Sequence, residues 1–396
     1  AALANVSTTD IRLLTTAQIV ALTSTQLAGL QTSQIAALLT TQVAALTDAQ
    51  IKSLSTTNTA AMTSSQNAVL TGKSWSSTNI AALTTAQIQG LTTAQAAALS
   101  AAQVKGLSTA QVVALETADL VVMPVATLAG LSTANFAALT STQIASLTAL
   151  QAAGLGTAQV AALTTAQIGS LSTAGVAQLS KLQLNTLAST IWTQLSTSQV
   201  AAMTADQVAG LSLAKISTLT SIQLPALTTK QAAALTTAQA VALTTTQWQS
   251  ISTQSMTAIN ATALNALSTA TLAAISSTQT AALLPAQVLA LTTKAVAALT
   301  ISAVASLTSS QVKAMSKEAV TALTTAQVQA LSTTAVAALS STQVATLSSA
   351  EVALLSTAQI KALDTAQVKA LNAEGVAAWG TTPFVAASTS VAAALS

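Results

Sequence analysis

Side chains that could do chemistry are few and widely spaced in this chain. Its 396 residues include nine Asp and Glu and twelve Lys and Arg, but no His, Cys or Tyr. General acid–base catalysis would need carboxylates from distant parts of the sequence to meet. Without cysteine there is neither a disulfide nor a thiolate metal site. The composition therefore argues against an enzyme.

Two local patterns have the spacing of known reactive groups. Ser212 and Lys215 form a Ser-x-x-Lys sequence, in which penicillin-binding enzymes activate a serine nucleophile, but the accompanying motifs of those enzymes are missing here. Glu116 and Asp119 form a close carboxylate pair. An internal repeat explains both patterns better, because Ser212 and Glu116 fall at its helix-capping position. Lys215 and Asp119 fall three residues later, where the repeat usually has Gln, so capping explains these residues too. We predict no catalytic, cofactor-binding or metal-binding residue.

An eight-residue repeat must position every one of these side chains. A large apolar anchor recurs at every eighth residue from Trp75 through Leu83 to Trp379, and in a second phase from Val6 to Leu70. Only the five-residue step from Leu70 to Trp75 interrupts the period. A repeat of this regularity decides the fold before any single motif does.

Each position of the octad, numbered from the anchor as slot one, has its own chemistry. Slots two and three hold Thr or Ser, slot four a small residue, slot five mostly Gln, slot six Val, Ile or Leu, and slot eight mostly Ala, Gly or Ser. Slot seven accepts charged and amide side chains, so we expect it to face water. These slot-seven residues are Arg12, Lys52, Lys105, Lys313, Lys361, Lys369, Gln89, Gln249 and Gln329.

The octad predicts one very short helix per repeat. At about 100° per residue, anchors eight apart would spiral round a continuous helix, so each octad must start a new one. Thr-x-x-Gln from slot two is a capping box, and the apolar residues at slots one and six form a hydrophobic staple. Because isolated helices shorter than about 12 residues are unstable, the helices must stack on one another. We predict an all-α solenoid of short capped helices.

A β-solenoid with two octads per coil is the alternative fold. Its support is the β-propensity of Thr, Val and Ile. However, slots one and six are an odd and an even position, so their apolar side chains would lie on opposite faces of a strand. The octad also has no regular Gly, Asn or Asp for corners. We therefore favour helices.

Departures from the consensus fit the helical prediction. Asp10, Asp119 and Glu351 replace the slot-five glutamine and could accept hydrogen bonds at a helix start. Pro285 at slot three is the first helical position, whereas Pro225 and Pro383 predict local distortion. We expect small residues at slots four and eight to let helices approach closely, with helices ending at the slot-eight glycines Gly29, Gly90, Gly106, Gly130, Gly154 and Gly210.

The repeat phases define three segments. Residues 1–70 form the first octapeptide block, and residues 71–379 form the second block in a shifted phase, continuous with the first as one solenoid. Residues 380–396 lose the glutamine slot and are predicted to be a cap or an assembly tail.

Charge and hydropathy narrow the choice of partners. Only 5% of residues are charged, against about 25% in ordinary domains, and such a neutral surface favours self-association. Polar residues recur too often for a membrane-spanning run of about 20 residues. We predict a homo-polymer with no membrane span and no small-molecule substrate. The chain opens with Ala, as a mature secreted product would, and we expect an extracellular or cell-surface location.

Two resemblances bear on function. The stretch Leu107 to Glu116 resembles the start of the DNA-reading repeats of TAL effectors, but the period of eight and the net charge of +3 leave no basic track for nucleic acid. Octads such as Leu163 to Leu171 and Leu323 to Leu331 resemble bacterial Ala/Thr/Gln-rich octapeptide-repeat proteins of the cell surface, some of which form extracellular fibres. That resemblance implies a structural role and no particular functional residue.

Two functions follow as expectations. The first is a structural protein, the protomer of a self-assembling extracellular filament, sheath or matrix fibre. The alternative is an adhesin stalk or an ice- or carbohydrate-binding repeat array that uses rows of Thr hydroxyls.

Overall fold

A computed structural model describes residues 3–73 and 75–379. Over these ranges the chain forms 45 α-helices and two 3-10 helices, Leu3–Asn5 and Leu224–Ala226, with no strand. The predicted all-α array of very short helices is confirmed, and the β-solenoid is wrong.

The chain divides into two compact units, Ala1–Leu195 and Ser196–Ser396. In the first unit the α-helices, numbered α1 to α23 in chain order, are Thr8–Leu13, Thr16–Ala21, Ser24–Ala28, Thr32–Ala37, Thr40–Ala44, Asp48–Ser53, Thr56–Ala61, Ser64–Ala68, Ser77–Ala82, Thr85–Gln89, Thr93–Ala97, Ala101–Lys105, Thr109–Ala114, Thr117–Val122, Val125–Ala129, Thr133–Ala138, Ser141–Ser146, Ala149–Ala153, Thr157–Ala161, Thr165–Ser170, Thr173–Gln178, Lys181–Thr186 and Ser189–Trp192. In the second unit, α24 to α45 are Thr197–Ala202, Ala205–Ala209, Leu213–Ser217, Thr229–Ala234, Thr237–Ala242, Thr245–Ser250, Thr253–Met256, Ala261–Asn265, Thr269–Ala274, Ser277–Ala282, Pro285–Leu289, Thr293–Ala297, Ile301–Ala305, Ser309–Ala314, Lys317–Thr321, Thr325–Ala330, Thr333–Ala338, Ser341–Val344, Ser349–Ala353, Thr357–Ala362, Thr365–Ala370 and Ala373–Ala377.

Two extended residues separate one helix from the next. At the end of α20, Leu171 has φ −61° and ψ 131°, and its N–H donates to the carbonyl of Ile168. Ser172, at slot two of the next octad, is also extended and accepts the N–H of Gly175 with its hydroxyl. The anchor and the cap residue therefore form a corner, and the capping hydroxyl starts the next helix.

Three octads make one turn of the array. In the first unit α1 packs on α4, α17 packs on α20 and α18 packs on α21; in the second, α37 packs on α40. Each regular turn therefore contains 24 residues, and each helix lies beside the helix three octads later. This is the nearest-neighbour packing of a solenoid.

Burial follows the slot and repeats from octad to octad. In the octad from Leu163 to Ser170, Leu163, Gln167 and Ile168 are buried, and slots two, three, four and seven are exposed. The slot-seven residues predicted to face water are all exposed. The core is thus a column of anchors and slot-six side chains, bordered by a row of buried glutamines.

Slot eight gives the close approach that we expected, whereas slot four does not. The slot-eight glycines of α15 and α18 lie against slot-three residues of helices three octads earlier. A Cβ at Gly130 would lie 2.7 Å from the Cα of Ala101, and one at Gly154 would clash with a methyl of Val125. Slot four lies on the exposed outer side, so the expectation for it was wrong. Helices do end at the predicted glycines.

Each turn has three sides, one for each octad. The shortened octad from Leu70 to Trp75 still forms one of these sides. The backbone N–H of Lys73 donates to the carbonyl of Leu70 and closes a tight turn. Within this turn Gly72 has a φ of 77°, a left-handed conformation that favours glycine. Helix α7 packs on α9 and α8 packs on α10, so three sides separate each pair although three residues are missing.

Proline behaves according to its slot. Pro285 is the first residue of α34, as predicted. Pro225 at slot seven replaces the α-helix by a turn and the 3-10 helix Leu224–Ala226, so the predicted distortion is confirmed. Pro383, like the predicted tail 380–396, lies outside the described residues.

Candidate functional site: glutamine contacts between turns

The slot-five glutamine makes the predicted capping box. In α20 the Oε1 atom of Gln167 accepts the backbone N–H of Thr164 at 2.8 Å, and the N–H of Gln167 donates to the Thr164 hydroxyl at 3.2 Å. The same reciprocal pair occurs in Thr84 with Gln87. Two N–H groups at the helix start are thereby satisfied by side chains of one octad.

The other end of the glutamine amide joins successive turns. Nε2 of Gln167 donates to the carbonyls of Leu139 at 2.6 Å and Ala137 at 3.0 Å, which end the helix three octads earlier. In the second unit, Nε2 of Gln239 likewise reaches the carbonyls of Leu211 at 2.9 Å and Val208 at 2.8 Å. One buried amide therefore caps its own helix start and the C-terminus of a stacked helix.

This second role was missed by the capping argument, although the sequence contains a signal for it. A carboxylate would accept the cap N–H as well as an amide does, yet slot five is filled mostly by Gln. Only the amide also carries N–H donors. The preference for Gln over Glu therefore indicates that a second, acceptor-lined surface lies beyond the cap.

Shorter side chains at slot five keep the donor. Nδ2 of Asn135 donates to Leu107, Oγ1 of Thr127 donates to Leu99, and Oγ of Ser255 donates to Leu227, at 2.6–2.7 Å. Each acceptor is the anchor carbonyl 28 residues earlier, the same atom that a glutamine would bind. Amide and hydroxyl donors at slot five therefore make the same contact between turns.

Carboxylates at slot five lack this donor. Oε2 of Glu351 accepts the N–H and hydroxyl of Ser348, as predicted for a cap, and Asp10 accepts the Ser7 hydroxyl. Asp119 is buried, and its Oδ2 atom has no hydrogen-bond partner. Burial and then the charge of Glu116 raise the pKa of Asp119 to about 6, partly opposed by a backbone hydrogen bond at Glu116.

The Ser212–Lys215 pair and the carboxylates Glu116, Asp364 and Glu374 all lie at helix starts. Ser212 caps α26 by accepting the N–H of Lys215 at 3.3 Å, and burial lowers the pKa of the Lys215 amine. Glu116 is the N-cap of α14 but makes no side-chain cap bond, so its predicted capping contact is wrong. Asp364 accepts the N–H of Gln367, while exposed Glu374 accepts the Ser349 hydroxyl.

Aromatic side chains fill the core at slot six. Trp192, Trp248 and Phe136 are fully buried. The indole N–H of Trp248 donates to the carbonyl of Ala240, one octad earlier, where slot six holds only a methyl group. The large ring thus fills space beside a small core residue.

Metal-ligating side chains lie apart from one another in the described residues. Across residues 3–73 and 75–379, no three His, Cys, Asp or Glu side chains cluster to hold a metal ion. A cavity of about 30 Å³ lies beside the shortened octad, lined by residues including Gly72, Trp75, Ile80 and Gln95, and it has room for about one water molecule. None of the described helices has the length and hydrophobicity that crossing a bilayer requires.

Comparison with known proteins returns the repeat itself. A family described as the ALTTAQ repeat matches residues 3–41, 112–149, 318–349 and 349–381. In these segments the chain is similar to that family. The matched segments include the cap threonines and slot-five glutamines, such as Thr15 with Gln18 and Thr140 with Gln143. No curated protein matches the chain.

Proposed function

We propose that this chain is a structural protein whose copies associate into an extracellular or cell-surface filament, sheath or matrix fibre. The observation that carries the proposal is the outer surface of the described helices. Slots two, three, four and seven face outward, and they carry mostly Thr, Ser, Ala and Gln, with charged residues only 5% of the whole chain. A surface with so little charge offers little electrostatic repulsion between copies.

The internal bonding supports the same proposal. Each turn binds the next through amide donors on one side and backbone carbonyls on the other, as Gln143 does with Leu115 and Gln151 with Met123. The same amide donors and carbonyl acceptors recur wherever slot five holds glutamine. Association between copies can therefore reuse contacts that already hold one copy together.

Sedimentation velocity and electron microscopy over a concentration series test the proposal. We expect large, concentration-dependent assemblies at moderate salt. A matched variant adds lysine at three exposed slot-seven alanines, Ala145→Lys, Ala161→Lys and Ala337→Lys, because slot seven already accepts lysine elsewhere. This variant should stay folded and assemble less, especially at low salt, where charge repulsion is least screened. A parent chain that stays monomeric at high concentration contradicts the proposal.

A repeat array that binds ice or carbohydrate is the second candidate, favoured by one observation. Slot-three threonines such as Thr85, Thr165 and Thr237 are exposed, and the capping hydroxyl belongs to the preceding residue. These hydroxyls are available to a ligand. Thermal hysteresis and glycan-binding assays test this candidate, and alanine at these three positions should weaken a signal that comes from the threonine rows while leaving the helices intact.

That the chain is not an enzyme, binds no nucleic acid or small-molecule substrate and acts outside the cell remain predictions. So does the division into residues 1–70, 71–379 and 380–396 as one continuous solenoid with a tail.

A further inference from the structure

The turn formed by residues 115–138 has no glutamine at slot five. Its three octads hold Asp119, Thr127 and Asn135 there, and no other three consecutive octads between residues 6 and 195 lack glutamine. Thr127 and Asn135 each donate to a single anchor carbonyl, at 2.6 and 2.7 Å. Gln143, in the following turn, donates to three carbonyls. Fewer hydrogen bonds therefore hold this turn to the turn before it.

Asp119 leaves one side of this turn without a side-chain donor. Its carboxylate accepts a backbone hydrogen bond at Glu116, while the buried Oδ2 atom has no partner. The anchor carbonyl 28 residues earlier belongs to Leu91, and it accepts no hydrogen bond from the described part of the chain. Since both groups are acceptors, neither can satisfy the other while Asp119 is ionised.

A proton on Asp119 would supply the missing donor. A neutral carboxyl group has one C=O acceptor and one O–H donor, the same combination that an amide has. Asn135 shows that a side chain of this length reaches the anchor carbonyl 28 residues earlier, at 2.7 Å. Neutral Asp119 can thus keep its cap contact and donate to the carbonyl of Leu91, whereas the carboxylate cannot.

The charged groups around Asp119 also favour the proton. Helices α11 and α17, which pack on its helix α14, have no charged residue. The only cation between residues 91 and 138 is Lys105 on α12, which packs on α9 and α15. Exposed Glu116 is the remaining charge in this range, and it is negative. Burial and then Glu116 raise the pKa of Asp119 to about 6.

We propose that Asp119 and the carbonyl of Leu91 form a proton-binding site that closes the joint between residues 91–114 and 115–138 in acid and opens it on ionisation. When the proton leaves, a buried carboxylate faces the joint without a donor, so α14 separates from α11 more often. The opening stays local, because each turn of a solenoid contacts mainly its neighbours. This inference is independent of the proposed self-association.

The second unit contains a matched control turn, residues 251–274. Its slot-five residues are Ser255, Ala263 and Thr271, so it also lacks glutamine on all three sides. Ser255 donates to an anchor carbonyl at 2.7 Å, whereas Ala263 has no donor and Thr271 bonds a hydroxyl of its own octad. No Asp or Glu occurs from residue 227 to 274. This joint should therefore open equally often at every pH.

Hydrogen–deuterium exchange of the full chain, resolved by peptide mass spectrometry, tests the proposal between pH 5 and pH 7.5. Each rate is divided by the intrinsic rate at that pH, under conditions where exchange follows the opening equilibrium. Protection of α14 should fall about tenfold over this range, because the closed joint holds the Asp119 proton with a pKa of about 6 and the open joint with the ordinary 3.8. Protection of α30 to α32, in the control turn, should not change.

Two variants assign the effect to this site. Asp119→Asn carries a permanent donor, so it should protect α14 at every pH and remove the pH dependence. Glu116→Gln should keep the pH dependence and move its midpoint to lower pH, because the charge of Glu116 no longer raises the pKa of Asp119.

Three results would overturn the proposal. The first is protection of α14 that does not vary with pH, or that varies as much as protection of the control turn. The second is an Asp119→Asn variant that keeps the pH dependence of the parent. The third is protection of α14 at pH 7.5 that is lost when EDTA removes divalent cations, since a cation and not a proton would then occupy the site.

Discussion

Two stretches of the second unit differ in one slot and show what each residue of the octad does. Between residues 227 and 251, slot five holds Gln231, Gln239 and Gln247; between residues 291 and 339, it holds Ala at positions 295, 303, 319 and 335 and keeps Gln at 311 and 327. Both stretches form capped helices of five or six residues. The slot-two hydroxyl is therefore sufficient to start a helix, whereas glutamine adds the bond between turns.

In one alanine octad, an asparagine from an earlier octad takes the place of the missing glutamine. Thr292, the cap residue before Ala295, donates its N–H to Oδ1 of Asn265 at 2.9 Å, and Nδ2 of the same asparagine donates to the carbonyl of Ala290 at 2.8 Å. Asn265 occupies slot seven of an earlier octad and is half-buried. A half-buried asparagine amide thus makes the same kind of bridge that a buried glutamine makes in the other stretch.

Removing a glutamine from the first stretch should have the largest effect. Gln239→Ala leaves the N–H of Thr236 and the carbonyl of Leu211 without the side-chain partner that they have now, while the carbonyl of Val208 keeps its backbone donor, the N–H of Leu211. Unsatisfied buried groups cost about 1–3 kcal/mol each, with partial relief from water, so we expect a loss of about 2–4 kcal/mol. Urea unfolding followed by circular dichroism measures it.

Gln249→Ala is the matched control for that experiment. Gln249 lies at exposed slot seven of the same stretch, and its removal should change the free energy of unfolding by less than about 0.5 kcal/mol. Equal losses in the two variants would show that the buried amide has no special role.

Asp119→Asn in the first unit should give the next largest effect, in the opposite direction. An asparagine there can donate to the carbonyl 28 residues earlier, as Asn135 does to Leu107 at 2.7 Å. The variant also removes a buried carboxylate whose Oδ2 has no partner. We expect a gain of about 1–3 kcal/mol at pH 7.

The pH dependence of that gain follows from the sign of the shift. The pKa of Asp119 rises from 3.8 to about 6 on folding, so the native chain holds its proton more tightly than the unfolded chain. The parent is therefore favoured below about pH 4 and loses this contribution as pH rises towards 6. The difference between Asp119→Asn and parent should grow from pH 4 to pH 7.

Loss of one capping hydroxyl should have a smaller effect. Thr236→Ala removes the acceptor of the Gln239 N–H, whose bond is 3.2 Å long, and should cost about 1 kcal/mol. Thr237→Ala, one residue later and exposed, should be neutral within about 0.5 kcal/mol. Comparable losses at both positions would contradict the assignment of slot two as the cap.

The local fold could be predicted from the sequence because the period of eight is incompatible with a continuous helix. The types and spacing of Thr164 and Gln167 already predict that a helix starts there. Three octads per turn could not be predicted in this way, since the angle at each corner depends on two extended residues, such as Leu171 and Ser172, and on stacking against residues 24 positions away. The hydrogen bonds from the slot-five glutamine to the preceding turn depend on the same stacked residues, which the sequence of one octad does not identify.

The shortened octad shows the same limit. The missing residues between Leu70 and Trp75 indicate an irregularity, but they do not show that the turn closed by Lys73 keeps the count of three sides. Gln18 and Gln26 are exposed although their octads are of the same type as those with a buried slot-five glutamine, so the octad alone does not decide burial.

Placing a glutamine in the alanine stretch should have the smallest effect and tests whether the space for it still exists. Ala303→Gln would put Oε1 beside the N–H of Thr300 and Nε2 towards the carbonyl of Ile275, 28 residues earlier. If that space remains, the new bonds should add about 0.5–1 kcal/mol, a gain reduced by ordering the side chain. Ala303 is fully buried, so a closed gap would instead force the amide out and lower stability. A measured loss, with helicity retained, would mean that alanine octads pack more closely than glutamine octads, and that the two stretches differ in the separation of their turns as well as in bonding.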